Sequence, residues 1–173
     1  MYRWLTTILI FFGCSPTVYN HGVPNLVKVD SGLWRSGQPT TIEQWQTLKN
    51  LGITQVIKLN FESEGSDEGA VTVGMSVTTM SIQPEGDQDA WDNIKNTFVE
   101  PDPTILGDIE VQIETREGGI LVHCTHGQDR TGLVIGRYRV LHDNWTKDAA
   151  YTEMLANNFH PLLHGLHESW EKF

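Results

Sequence analysis

Ile120, Leu121 and Val122 form an unbroken apolar run, the pattern of a strand covered on both faces. Leu133, Val134, Tyr138 and Leu141 then recur at helical spacing and predict a helix with those four side chains on its inner face. Upstream, Thr40-Thr-Ile-Glu43 has the form of a capping box and opens a helix to about Asn50. Ile42, Trp45 and Leu48 are its expected core residues, and Gly52 its stop. Residues 53–60 read as a mostly buried strand and 75–82 as another, with an acidic loop over 61–69 and one or two helical turns over 70–74. Asp102-Pro103-Thr104 begins a further helix, Asp as cap and Pro at the first position, with Ile105, Ile109 and Ile113 inward. Thr146 starts one more, with Ala150, Met154 and Leu155 inward, and after Pro161 a last short helix closes the chain. Strands and helices alternate. That predicts an α/β fold: a central, mostly parallel sheet of four to five strands flanked by helices, with its ligand site at the strands' carboxyl ends.

The 173 residues fit one domain, large enough for a core that needs no disulfide. Residues 1–20 stand apart: Arg3, a short hydrophobic stretch over 5–12, then Gly13-Cys14. The stretch is too short to span a membrane and has the layout of an export signal. Cys14 after Gly13 also resembles a bacterial lipoprotein cleavage site, and the membrane is an expected partner only if Cys14 is lipidated. The division is therefore signal 1–20, an arm over 21–31 and the folded domain over 32–173, exported and monomeric. The formal charge of −10 argues against nucleic acid as a partner and gives no long-range attraction for an anion. Affinity for a phosphate has to come from a local device.

Such a device lies between the 120–122 strand and the following helix: His123-Cys124-Thr125-His126-Gly127-Gln128-Asp129-Arg130-Thr131-Gly132. A loop folding back at a helix N-terminus turns successive N–H groups into one concavity, with the positive end of the helix dipole behind it. Arg130 adds a planar clamp for two oxygens of a tetrahedral anion. The same field favours a thiolate at Cys124, and Thr131 stands where its hydroxyl can help that thiolate leave. Thr125, His126, Gly127, Gln128, Asp129 and Thr131 are the candidate substrate contacts. Asp129 is awkward beside a bound anion and is expected to turn toward backbone N–H groups or another side chain. His123 is expected to hydrogen-bond backbone and fix the loop. Lys58, at a strand's carboxyl end, either faces substrate or snorkels to solvent. His160, His164 and His167 share a helical spacing, but no thiol or carboxylate pattern completes a zinc site, and no metal or cofactor is required.

His-Cys-x5-Arg-Thr-Gly resembles the phosphate-binding loop of the protein-tyrosine-phosphatase superfamily, in its dual-specificity branch. Trp34-Arg35-Ser36-Gly37-Gln38-Pro39 is similar to the entry segment of the plant and fungal atypical dual-specificity phosphatases, and the stretch Leu51–Asn60 to their second strand. The likeness runs from about Leu33 to Leu155, diverging in the middle loop. It implies a cysteine-dependent phosphomonoester hydrolase with Cys124 as nucleophile and Arg130 as clamp, acting on phosphoprotein or inositol polyphosphate, and it sets Arg35 near the site, against the alternative of a surface or structural arginine. It also implies a general-acid aspartate on a separate loop. Asp87, Asp89, Asp92 and Asp102 are the candidates; Asp89 leads and Asp87 follows, because both lie in the Gly86-containing loop beyond Ile82, whereas Asp102 more simply caps a helix. The loop's Cys-Thr-His-Gly also resembles that of RNA 5′-triphosphatases, and a phosphate-binding protein without catalysis is the other alternative. A rhodanese-type loop lacks the preceding His and the Arg-Thr-Gly.

Overall fold

The computed structural model describes residues 17–18, 21–82 and 97–173. In chain order the elements are β1 (Thr17–Val18), β2 (Val27–Lys28), β3 (Leu33–Ser36), α1 (Ile42–Asn50), β4 (Ile53–Lys58), a 3-10 turn (Glu62–Glu64), α2 (Glu68–Thr72), β5 (Ser76–Thr79), α3 (Pro103–Glu114), β6 (Gly119–His123), α4 (Asp129–Leu141), α5 (Lys147–Ala156) and α6 (His164–Lys172). They form one sheet in the order β1-β2-β3-β6-β4-β5. The four strands β3, β6, β4 and β5 are parallel, and β2 and β1 extend the sheet antiparallel beyond β3.

Strand β6 is central, and its apolar run divides between two cores, because alternate side chains leave a strand on opposite faces. Ile120 and Val122 join Leu33 and Ile57 beneath α3, α4, α5 and α6. Leu121 joins Trp34 and Val56 beneath α1 and α2. Register aligns the carboxyl ends: Ser36 and Lys58 both pair with His123, so β3 and β4 stop level with the start of the Cys124 loop.

Several expectations shift by a residue or a face. The cap of α1 is Thr41 rather than Thr40, closed by Gln44 at the third helical position. Ile42, at the first helical position, therefore lies on the outer face and is exposed. Leu141 is exposed too, while Ile135 is buried, because α4 is buried on most sides and presents no single apolar stripe. Leu155 is exposed and the charged Glu153 lies inward instead, because its carboxylate bridges to buried Arg139 on α4 at 3.0 and 2.8 Å. In α3, Leu106 is buried with Ile109 and Ile113, and Ile105 packs at the margin. The stretch 21–31 is more than an arm: it supplies β2 and buries Val23, Leu26 and Val27.

Candidate active site

Cys124 opens the loop at the end of β6 and is buried. The backbone N–H of Gly127 points at its Sγ from 3.3 Å. Three consecutive carbonyls of the loop are drawn outward by donors behind it. Gln38 N–H donates to Thr125 O at 3.0 Å, Asn25 Nδ2 to His126 O at 2.8 Å, and Arg35 Nη2 to Gly127 O at 2.7 Å. With the carbonyls so engaged, the loop amides can face the thiol, as that of Gly127 does. Gly127 has φ +71°, and a Cβ there would stand 2.3 Å from the backbone carbon of Ser36, so no other residue fits.

Arg130, the second residue of α4, has its guanidinium on Glu64: Nη1 to Oε2 at 2.8 Å and Nη2 to Oε1 at 2.5 Å. The Thr125 hydroxyl donates to the same Oε1 at 3.0 Å. Partial burial by itself pushes the Glu64 carboxyl up, but the bonds from Arg130, the Phe61 N–H and Thr125 override it and bring the value down to about 2. Burial likewise opposes the charge on Arg130, and Glu64 together with the Cys124 sulfur raises it. Glu64 thus orients the guanidinium and takes two of its five N–H groups.

Arg35 is not on the surface. It is buried behind the loop, and desolvation lowers its guanidinium to about 10, against the favourable charges of Glu153 and Cys124. Lys58 neither faces substrate nor snorkels: it is buried, donates to Gly65 O and pairs with Glu62 at 2.9 Å, tying down the turn that carries Glu64. His123 is fixed by a carboxylate as well as by its backbone. Its Nε2 meets Asp67 Oδ2 at 2.8 Å, while its carbonyl accepts from Leu59 N–H at 2.9 Å. Asp67 in turn accepts from Gln38 Nε2 at 2.7 Å, and Gln38 Oε1 accepts from Asn60 at 3.1 Å.

The remaining candidates divide. Asp129 does turn away: its Oδ1 accepts from His160 N–H at 2.8 Å and meets His160 Nδ1 at 3.0 Å. Gln128 sits at the helix cap, its carbonyl bonded by Gly132 N–H, and His126 is exposed at the rim. Thr131 is buried, and its hydroxyl has no protein partner among the described residues. Asp102 caps α3 through Thr104 N–H at 2.8 Å. Asp87, Asp89 and Asp92 lie outside the described residues. His164 stacks on Phe98 and His167 meets Tyr151, so the histidines that share a spacing have separate neighbours. Sequence reasoning misses Glu64, Asp67 and Asn25. Gln38 lies inside the 34–39 segment, but nothing in its spacing marks its role.

The assembled parts are a sulfur, a converging amide, an oriented guanidinium and a helix N-terminus. Together they can hold a tetrahedral oxyanion against a nucleophile. Residues 23–160 match the model of the tyrosine phosphatase family. Over 50 residues the chain is 44% identical to dual specificity protein phosphatase TpbA of Pseudomonas aeruginosa, covering 29% of this chain and 23% of that protein. Over 132 residues it is 29% identical to inositol diphosphatase DSP4 of Arabidopsis thaliana, covering 75% of this chain and 61% of that one. The chain thus spans less than two thirds of the length of either relative. In fold it resembles the crystal structure of P. aeruginosa TpbA (TM-score 0.70, 21% identity, 91% of this chain and 89% of that one). It also resembles the catalytic domain of the PP-IP phosphatase SIW14 from S. cerevisiae (TM-score 0.66, 20% identity, 89% and 88%).

Proposed function

The chain belongs to the tyrosine phosphatase family, and from that premise we propose that it hydrolyses phosphate monoesters through a cysteinyl-phosphate. The Cys124 thiolate attacks phosphorus in line with the ester oxygen. The S–P bond forms as the P–O bond breaks, and the leaving oxygen takes a proton from a general acid. Water then gives a proton to the conjugate base of that acid and attacks phosphorus, and the thiolate leaves as the S–P bond breaks. The loop amides and the N–H groups of Arg130 not held by Glu64 stabilise the equatorial oxygens, which is positioning and electrostatics rather than covalent work. The observation that carries this reading is the Gly127 N–H aimed at Sγ within a loop that has three successive carbonyls held outward.

The acid comes from Asp89 or Asp87. The substrate is a phosphoprotein or an inositol polyphosphate, a reading supported by the alignment of the chain with a protein named dual specificity protein phosphatase and another named inositol diphosphatase. Residues 1–20 direct export, and the mass of the mature N-terminus in the native host tests this: an intact Met1 would refute it.

An aryl phosphate with a good leaving group hardly needs the acid, so it tests the nucleophile alone. Cys124→Ser is expected to abolish its turnover, by at least about a thousandfold. Unchanged turnover would refute the assignment. Comparing a phosphotyrosyl peptide, inositol hexakisphosphate and a triphosphate-ended RNA ranks the substrates. Preference for the RNA would overturn the choice of phosphoprotein or inositol polyphosphate.

A further inference from the structure

The mechanism leaves unused a buried carboxylate immediately behind the nucleophile. Asp67 is buried, as is His123, and they meet at 2.8 Å. Three observations fix what each atom of the pair does. Gln38 is a donor to Asp67, because its own Oε1 is already taken by Asn60 Nδ2. Burial by itself disfavours the Asp67 charge, but His123, Gln38 and the nearby Lys58 more than offset it and keep the carboxyl below its ordinary range. An ionised carboxylate only accepts, so the His123 proton sits on Nε2. The third observation is that His123 Nδ1 is buried and has no hydrogen-bond partner among the described residues. A proton placed there would be an orphaned donor. The imidazole edge lies against Trp45, with ring centroids 6.0 Å apart, and the ring cannot swing out to water without leaving that contact.

We propose that Asp67 is a positioning residue for the nucleophile: by accepting from His123 Nε2 it fixes one tautomer and one orientation of the residue that precedes Cys124. The segment carrying Asp67 also carries Glu64. One short stretch therefore holds the loop at both ends, Glu64 on Arg130 and Thr125, Asp67 on His123. The inference rests on the phosphatase reading above, in which Cys124 attacks phosphorus.

Asp67→Asn separates this role from packing. The amide offers one acceptor and one donor face. With Gln38 and Asn60 in their present orientations Gln38 claims the acceptor, so the Asn NH₂ turns to His123, whose Nε2 becomes an acceptor and whose proton moves to Nδ1. Imidazole nitrogen chemical shifts read the tautomer directly, independently of turnover. The wild type is expected to carry the proton on Nε2. D67N is expected to move it to Nδ1 and lower kcat on an aryl phosphate by roughly a hundredfold, with KM changed by less than about twofold. Asp67→Glu, which keeps an acceptor-only carboxylate, is expected to restore the Nε2 proton and part of kcat. A wild-type proton on Nδ1 would overturn the proposal, and so would a tautomer shift in D67N with kcat unchanged. If D67N does not fold, the wild-type shifts and D67E decide. A wild type with no aryl phosphatase activity would defeat the functional reading while leaving the tautomer result to stand.

Discussion

Glu64 grips Arg130 through both carboxylate oxygens, and the grip has a signature in acid. Its carboxyl is held at about 2 against an ordinary 4.5. A group whose folded value lies below its unfolded one adds stability above the unfolded value and loses it as pH falls through the folded one. Stability from this pair is thus complete above about pH 4.5 and drains away toward pH 2. Glu64→Gln is expected to flatten the urea-stability profile in that window and leave the slope near neutrality alone. It is also expected to lower kcat roughly tenfold, since a guanidinium without its fork partner samples orientations that miss the phosphate. An unchanged acid slope would mean that the pair does not form in solution. None of this is visible in residues 61–69, which read as an acidic loop. Glu64 and Asp67 acquire their meaning from partners 66 and 56 positions away, and local spacing carries no record of such pairings. Cys124, Arg130 and Gly127 are legible because their relation is local, set within one loop and one helix start.

At the level of elements, α4 and α5 are joined by a buried ion pair as well as by apolar packing. Arg139 bonds both oxygens of Glu153, and its Nη1 bonds Asp143 at 2.7 Å. Its guanidinium also lies 4.6 Å from the centroid of the Trp145 ring. Breaking a buried pair from one side leaves a charge stranded, so Arg139→Met is expected to cost about 3–5 kcal/mol. The check is a lower urea midpoint at unchanged slope, and a midpoint shift below the error of the measurement would count against it. This pair also explains why Leu155, inward by periodicity, lies outward in the fold. A period locates a stripe only when the stripe is apolar, and here Glu153 occupies the inner position. Strand β6 is legible because its run of three apolar residues needs no choice of face: both faces are covered. The cap of α1 differs from its expected place by one residue because two threonines stand side by side and either has the chemistry of a cap.

Across the whole molecule the charge is −10, while Arg35 and Lys58 beside the site are buried and Arg130 is engaged by Glu64. A highly charged anion therefore approaches against the field, and salt screens that repulsion over a Debye length of about 10 Å at 0.1 M. Raising sodium chloride from about 0.02 to about 0.15 M is expected to increase kcat/KM for inositol hexakisphosphate severalfold and to change an aryl phosphate much less. A fall for the hexakisphosphate would mean that the mouth is locally positive. The parallel sheet and the position of the loop at its carboxyl edge follow from the alternation of strand and helix; the antiparallel extension by β1 and β2 does not, since two-residue strands leave no pattern to read. The donors behind the Cys124 loop come from residues 25, 35 and 38, and the bonds from Asn25 and Arg35 bridge separations of 101 and 92 positions. Contacts that distant close late when a chain collapses from the unfolded state. During refolding, the proposed phosphatase activity should accordingly lag behind helix formation and return only when the stretch carrying Asn25, Arg35 and Gln38 has met the Cys124 loop, which makes that proposed turnover a clock for this step of assembly.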